Sequence, residues 1–254
     1  MLNTAVFLFG MILLRMTGAI VFHPVFGRGN IPALVKAAFI FVLSLVVFVW
    51  NQASLDHIPV GVLDFSIMAM KELLIGFCMG FGVELAFMVF QFAGSVIDFS
   101  MGLSMAQMYD PQTGTQMSVS TYVYSALCTL LFFQQNGHIR FLDLVFRTYS
   151  YIPAGGAVVA GGLPEFVLKY FTTCMVMGMQ LAIPIVGVEL MTEIAIGFMM
   201  RVVPQINIFV VSFQIKLLVG MAMILLLLSP MAARVTDLYE GMFDMLYGMI
   251  GLLH

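Results

Sequence analysis

Charge is the scarcest thing in this sequence: 9% of its 254 residues are Asp, Glu, Lys or Arg, 13 acids against 10 bases, for a net charge of -3. A chain so poor in charge offers no basic patch to a nucleic acid and no Lys/Arg-rich run for anchoring at a membrane surface. Cysteine is nearly missing too. Cys78, Cys128 and Cys174 stand singly inside apolar runs without a C-x-x-C pair, which points to buried reduced thiols rather than disulfides or metal ligands. His23, His57, His138 and His254 are scattered and show no H-E-x-x-H spacing, so no metal site is expected. No G-x-x-x-x-G-K-[ST] loop and no dinucleotide fingerprint occur, so the chain is expected to need no cofactor and to hydrolyse no ATP itself. The strand alternation of a membrane barrel is also lacking. The first apolar run has no Lys or Arg before it and no small-residue cleavage motif after it, so it reads as a retained segment rather than a signal peptide.

Apolar residues are what the chain has in excess, at 62% of the total and a mean hydropathy of +1.07. Runs at 2–26, 37–50, 65–97, 117–133, 170–197 and 217–233 include several long enough for a helical span. A helix satisfies its own backbone in lipid, so the fold predicted is all-α and membrane-associated. The run 65–97 exceeds one span and holds Gly76, Gly80, Gly82 and Gly94. Arg28 and Lys36 before it and Arg140 and Arg147 after it should share a side by the positive-inside rule, which favours a bent hairpin over 65–97. A Gly/Pro-rich stretch at 153–164, with Gly155-Gly156 and Gly161-Gly162, is the clearest linker within a single domain covering 1–254.

The few charges fall in unexpected places. Glu72, Gly76, Gly80 and Glu84 lie four residues apart, so they form one stripe of a helix around a G-x-x-x-G step. Glu189, Glu193, Gly197 and Arg201 form a second. An ionised group in a bilayer costs about 2.5 to 3.5 kcal/mol on insertion scales unless it is paired or hydrated. With Arg15, Lys71, Asp98 and Lys216 added, these groups should face partners, each other or water. Subunit and helix docking through buried ion pairs is the simpler account, with close helix packing at Gly76, Gly80 and Gly197. A polar path, as in an ion-coupled secondary transporter, is the alternative. Pro184 and Pro204 should kink or break their helices.

Between two apolar runs, residues 100–118 read Ser-Met-Gly-Leu-Ser-Met-Ala-Gln-Met-Tyr-Asp-Pro-Gln-Thr-Gly-Thr-Gln-Met-Ser, too polar to span a bilayer. Met101, Met105 and Met108 would share a face if helical, until Asp110-Pro111 disfavours continuation. Spacing alone allows a core stripe or a compliant seal. The glycine, serine and glutamine in the same stretch favour a loop that must move. Gly102-Leu-Ser104 with His138 faintly resembles a serine nucleophile turn, but the second glycine is missing.

A set of short patterns runs through nearly the whole chain: Arg15 followed by Pro24-Val-Phe26 and Ile31-Pro32; Lys71-Glu-Leu-Leu-Ile-Gly-Phe77; Gly94 leading to Met101-Gly102 and Asp110-Pro111; Asn136-Gly-His138; and Arg201-Val-Val-Pro-Gln-Ile-Asn207 before Lys216. In order and spacing they resemble the FliR family of the bacterial flagellar export gate, whose injectisome relatives are called SctT. Gln214 and Ser118 stand where that family commonly has proline. The resemblance implies helical hairpins with broken or kinked helices, forming part of a right-handed helical pore assembly rather than a simple multi-span bundle. It implies a place in the inner membrane at the flagellar basal body, with FliP and FliQ as assembly partners, FlhB and FlhA in contact, and unfolded flagellar subunits as cargo. Within the segment matching the family's pore loop, it assigns Met101, Gly102, Met105, Met108, Asp110, Pro111 and Gly114 to the plug. Arg15, Lys71, Glu72, Glu84, Glu189, Glu193, Arg201 and Lys216 would then serve subunit docking.

Overall fold

The computed structural model describes residues 2–50, 55, 59, 61–103, 108–110, 115–117, 119–157, 161–202 and 208–252, with backbone only at 2–3, 108–110, 115–117 and 208–210. The chain is almost wholly helical there: α1 (Leu2–Val21), α2 (Ala33–Trp50), α3 (Val62–Met101), α4 (Val119–Gln134), α5 (Gly137–Tyr151), α6 (Leu163–Val202) and α7 (Ile208–Leu252), with the short strands β1 (Met108–Asp110) and β2 (Thr115–Met117) between α3 and α4. The expected all-α architecture is present. Among the described residues, five stretches are long and apolar enough to cross a membrane: Thr4–Val21, Ala33–Trp50, Val62–Met101, Leu163–Val202 and Val211–Leu252.

The run read as a bent hairpin is instead the single 40-residue helix α3. No proline interrupts it, and its glycines are used for close packing rather than for turning. At 1.5 Å per residue α3 is about 60 Å long, twice the hydrocarbon thickness, and α6 and α7 are as long or longer. Such helices cannot lie wholly in lipid along its normal, which departs from a simple multi-span bundle. Pro184 sits inside α6 and Pro230 inside α7, and neither breaks its helix. Each removes one backbone donor, a loss that a long helix tolerates when its other turns are intact. Pro204 lies outside the described residues.

The chain divides into two compact units. The first comprises Met1–Ala86, Phe132–Phe171 and Tyr239–His254. Here α2 packs on α1 through edge contacts of Phe9 with Phe41 and Phe48. The amino-terminal part of α3 crosses α1 almost backbone to backbone. A side chain at Gly76 would collide with the Arg15 carbonyl, one at Gly80 would stand 2.7 Å from the Ala19 carbonyl, and one at Gly18 would stand 2.6 Å from the Leu73 carbonyl. At these positions a Cβ has no room between the two backbones, the kind of approach that small residues allow. Asn136, in the left-handed region at φ 55°, turns the chain into α5.

The second unit comprises Phe87–Leu131 and Thr172–Leu238. Its α3 portion meets α4 at Gly94, where a Cβ would stand 2.6 Å from Thr121 backbone atoms, and meets α6 at Gly178, where a Cβ would stand 3.0 Å from the Val89 carbonyl. Against these contacts, Gly197 has open space where a side chain would stand. The close packing expected at Gly197 is not made among the described residues.

Candidate functional site

In the first unit the buried charges pair with one another. Arg15 and Glu72 are both 0% exposed. The Arg15 guanidinium donates from Nε to Glu72 Oε2 at 2.7 Å and from Nη2 to Oε1 at 2.9 Å, a two-pronged pairing that suits a planar fork. It also donates to Thr148 Oγ1 at 3.1 Å and to the Ile152 carbonyl at 3.2 Å, and its carbon lies 4.2 Å from the centre of the Tyr149 ring. Glu72 Oε1 accepts a further bond from the Gly155 N–H at 2.8 Å, while the Tyr149 hydroxyl donates to the Ile12 carbonyl at 3.1 Å. Helices α1, α3 and α5 and the turn after α5 are thus tied at one point. Gly155 takes φ 83°, and a side chain there would strike Met68. Arg15 and Glu72 are legible as buried charges in the sequence. Thr148 and Gly155 are not, since nothing local marks a threonine hydroxyl or one glycine N–H as part of an ionic hub.

Lys71 and Glu84, from the same list of buried charges, are half-buried and outside this hub. His23, just beyond α1, is buried among Phe26, Phe132 and Phe141. Its Nδ1 accepts from the Val25 and Phe26 N–H groups at 3.1 and 3.3 Å, which holds the ring in its neutral form. Burial, helped by nearby Arg28, brings its pKa down from 6.5 to about 3.

In the second unit the polar segment is held at both ends. Asp98, buried on the last turn of α3, accepts the Ser120 N–H at 2.9 Å on Oδ2 and the Ser120 hydroxyl on Oδ1. The first turn of a helix has N–H groups with no partner inside it, and here a carboxylate from another helix supplies one. The Thr121 hydroxyl adds a bond to the Gln91 carbonyl at 3.2 Å. The segment leaves α3 through buried Met101 and Gly102, whose φ of 78° ends the helix. It then pairs with itself as an antiparallel hairpin, Met108 opposite Met117, Tyr109 opposite Gln116 and Asp110 opposite Thr115. A single helical methionine face is therefore not formed: Met101 ends a helix and Met108 lies in a strand. Met105, Pro111 and Gly114 are outside the described residues, as is Ser104, and of the Met108 and Asp110 side chains nothing is described. The missed residue is Asp98 in its role as clasp, and the Ser/Thr cluster at 120–121 opening the next apolar run is the signal that could have found it.

The second stripe of charges is divided. Lys216 donates to Glu193 at 3.0 Å, while Arg201 is exposed near the end of α6. Glu189, one turn from Glu193, is buried against Gly220 and Met101. A side chain at Gly220 would collide with the Met101 sulfur and stand 2.9 Å from Glu189 Oε1.

Comparison with known proteins places the whole chain. The sequence profile of the bacterial export proteins, family 1, matches residues 6–242. The flagellar biosynthetic protein FliR of Bacillus subtilis is 29% identical over 251 residues, covering 96% of this chain and 95% of the relative. Its counterpart in Escherichia coli is 29% identical over 243 residues, 95% of this chain and 92% of the relative. That of Aquifex aeolicus is 26% identical over 223 residues, 87% and 84% respectively.

Proposed function

Because the chain belongs to family 1 of the bacterial export proteins, we propose that it is a subunit of the flagellar type III export gate, set in the inner membrane at the basal body. It assembles with FliP and FliQ, meets FlhB and FlhA, and helps to form and plug the channel through which unfolded flagellar subunits pass. Its work is structural and gating, not enzymatic.

The observation that carries this reading is the clasped hairpin. A methionine- and glycine-rich segment is closed at its base by Asp98 and Ser120 and leaves α3 at a left-handed glycine. A channel for varied unfolded chains needs a seal with few fixed contacts that still holds back ions when idle. Compliant apolar side chains on a tethered loop meet both needs, closing by dewetting and parting around a passing chain. Gly102 serves as a hinge, and Met101 anchors the root. The exposed apolar faces of α6 and α7, with Ile183, Leu190, Met191, Leu218 and Leu225 among them, need a cover of neighbouring subunits or lipid. Glu193, Arg201, Lys71 and Glu84 set the register of those neighbours. The ion-coupled transporter is the weaker account, since Glu72 is buried and both its oxygens already accept hydrogen bonds inside the protein.

Co-expression with FliP and FliQ followed by detergent extraction tests the proposal. A stable complex containing all three is expected. A monodisperse chain that stays apart from both and moves a solute by itself would contradict it.

A further inference from the structure

We propose that the second unit holds a site for the headgroup of a zwitterionic phospholipid with a primary ammonium, such as phosphatidylethanolamine, in a cavity shared by α3, α6 and α7. The cavity measures about 420 Å³, within the range of small-ligand pockets, and its lining residues all belong to this unit. Val89, Phe90 and Leu238 give it buried apolar walls, and Gln180, Arg234 and Asp237 give it polar ones. Gln180 and Arg234 are exposed and Asp237 is half-buried, so the polar groups stand at the mouth. Arg234 and Asp237 lie three positions apart on α7, hence on one face, with side chains rooted about 5 to 6 Å apart. They are not paired with each other, and among the described residues neither has a hydrogen-bond or ion-pair partner. Charges left unpaired on a helix of membrane length are costly and mark places where something else completes them.

Depth along the helix selects a lipid over other ligands. The stretch 217–233 of α7 carries no charge, and its length of about 26 Å is close to the hydrocarbon thickness of a bilayer, about 30 Å. Lys216 stands at one end of it and Arg234 at the other, so the cavity lies at headgroup level. Helix α6 runs antiparallel to α7, since Glu193 meets Lys216 and, one turn away on each helix, Glu189 stands beside Gly220. From Gln180 toward Glu193, Ile183, Gly187 and Leu190 continue the same face of α6 and are exposed. That apolar stripe receives the acyl chains once the headgroup is seated. In phosphatidylethanolamine two methylenes separate phosphate from ammonium, a spacing close to that of the two side chains. The Arg234 guanidinium and the Gln180 amide donate to the phosphate oxygens, and the ammonium donates to the Asp237 carboxylate. An anionic headgroup without the ammonium would leave Asp237 unpaired beside a like charge, which is how the site discriminates. None of this depends on the gating role.

Photolabelling tests the site. The full chain, purified with FliP and FliQ, is placed in phosphatidylcholine bilayers with a trace of phosphatidylethanolamine bearing a diazirine in its acyl chain, and peptide mass spectrometry reads the share of the chain's label that falls on residues 180–190. That share should be about tenfold higher than with the same probe built on phosphatidylglycerol, the margin of one charge-assisted hydrogen bond. Arg234→Gln and Asp237→Asn should each lower the phosphatidylethanolamine share about tenfold, and Asp237→Asn should also abolish the preference over phosphatidylglycerol. Both substitutions keep side-chain size at positions that are not buried, and the recovery of FliP and FliQ checks that the variants fold and assemble. Equal labelling by the two probes in the native chain, or labelling unchanged in either variant, would overturn the proposal. So would the loss of FliP or FliQ from either variant, which would make the cavity a subunit contact. A native chain that purifies without FliP and FliQ counts against the export role and still leaves the label readable.

Discussion

Arg15 and Glu72 form the buried ion pair at the centre of the first unit's polar hub. Their desolvation is offset only because every principal group in the hub has a partner, so removing one of the two strands the other. Arg15→Ala or Glu72→Ala should each destabilise the chain by about 3 to 5 kcal/mol, whereas Arg15→Met with Glu72→Leu together should lose much less. Thermal unfolding in detergent distinguishes these outcomes. His23 gives the chain a pH dependence of its own. The folded state keeps it neutral down to about pH 3 while the unfolded chain takes up the proton near 6.5, so its contribution is full above 6.5 and is lost as pH falls toward 3. The melting temperature should fall with pH over that window. His23→Asn, whose amide oxygen can accept the same two N–H bonds without titrating, should flatten the slope.

Among the elements, α3 shows what sequence makes legible. The stripe Glu72, Gly76, Gly80 can be read because a helix repeats locally, and the structure sets those glycines against α1 as the period implies. The hairpin expectation for the same run fails because glycine composition looks alike whether the residue turns the chain or admits a neighbour. The pairing of Arg15 with Glu72 spans 57 positions and that of Asp98 with Ser120 spans 22, so neither is encoded in any local pattern. Gly76→Ala and Gly197→Ala separate the two uses of glycine. The first puts a methyl into the Arg15 carbonyl and should prevent recovery of folded protein. The second meets open space and should leave the isolated chain as stable or raise its stability by up to about 1 kcal/mol from helix propensity. Circular dichroism melts of the two variants check both expectations.

At the scale of the whole molecule, a chain with 62% hydrophobic residues leaves long helices with exposed apolar faces and ties the flanks of the polar segment 100–118 together through Asp98 and Ser120. Composition and period make the membrane association and the polar character of the segment legible. They do not reveal the clasp or the hairpin, which depend on contacts between elements. The account's central claim is that this segment closes a pore, and the ionic conductance of idle complexes in planar bilayers tests it most directly. Shortening residues 102–114 while keeping Asp98 and Ser120 should leave assembly intact and make idle complexes leak small ions. Shortened complexes that assemble and remain as tight as the native ones would contradict the claim.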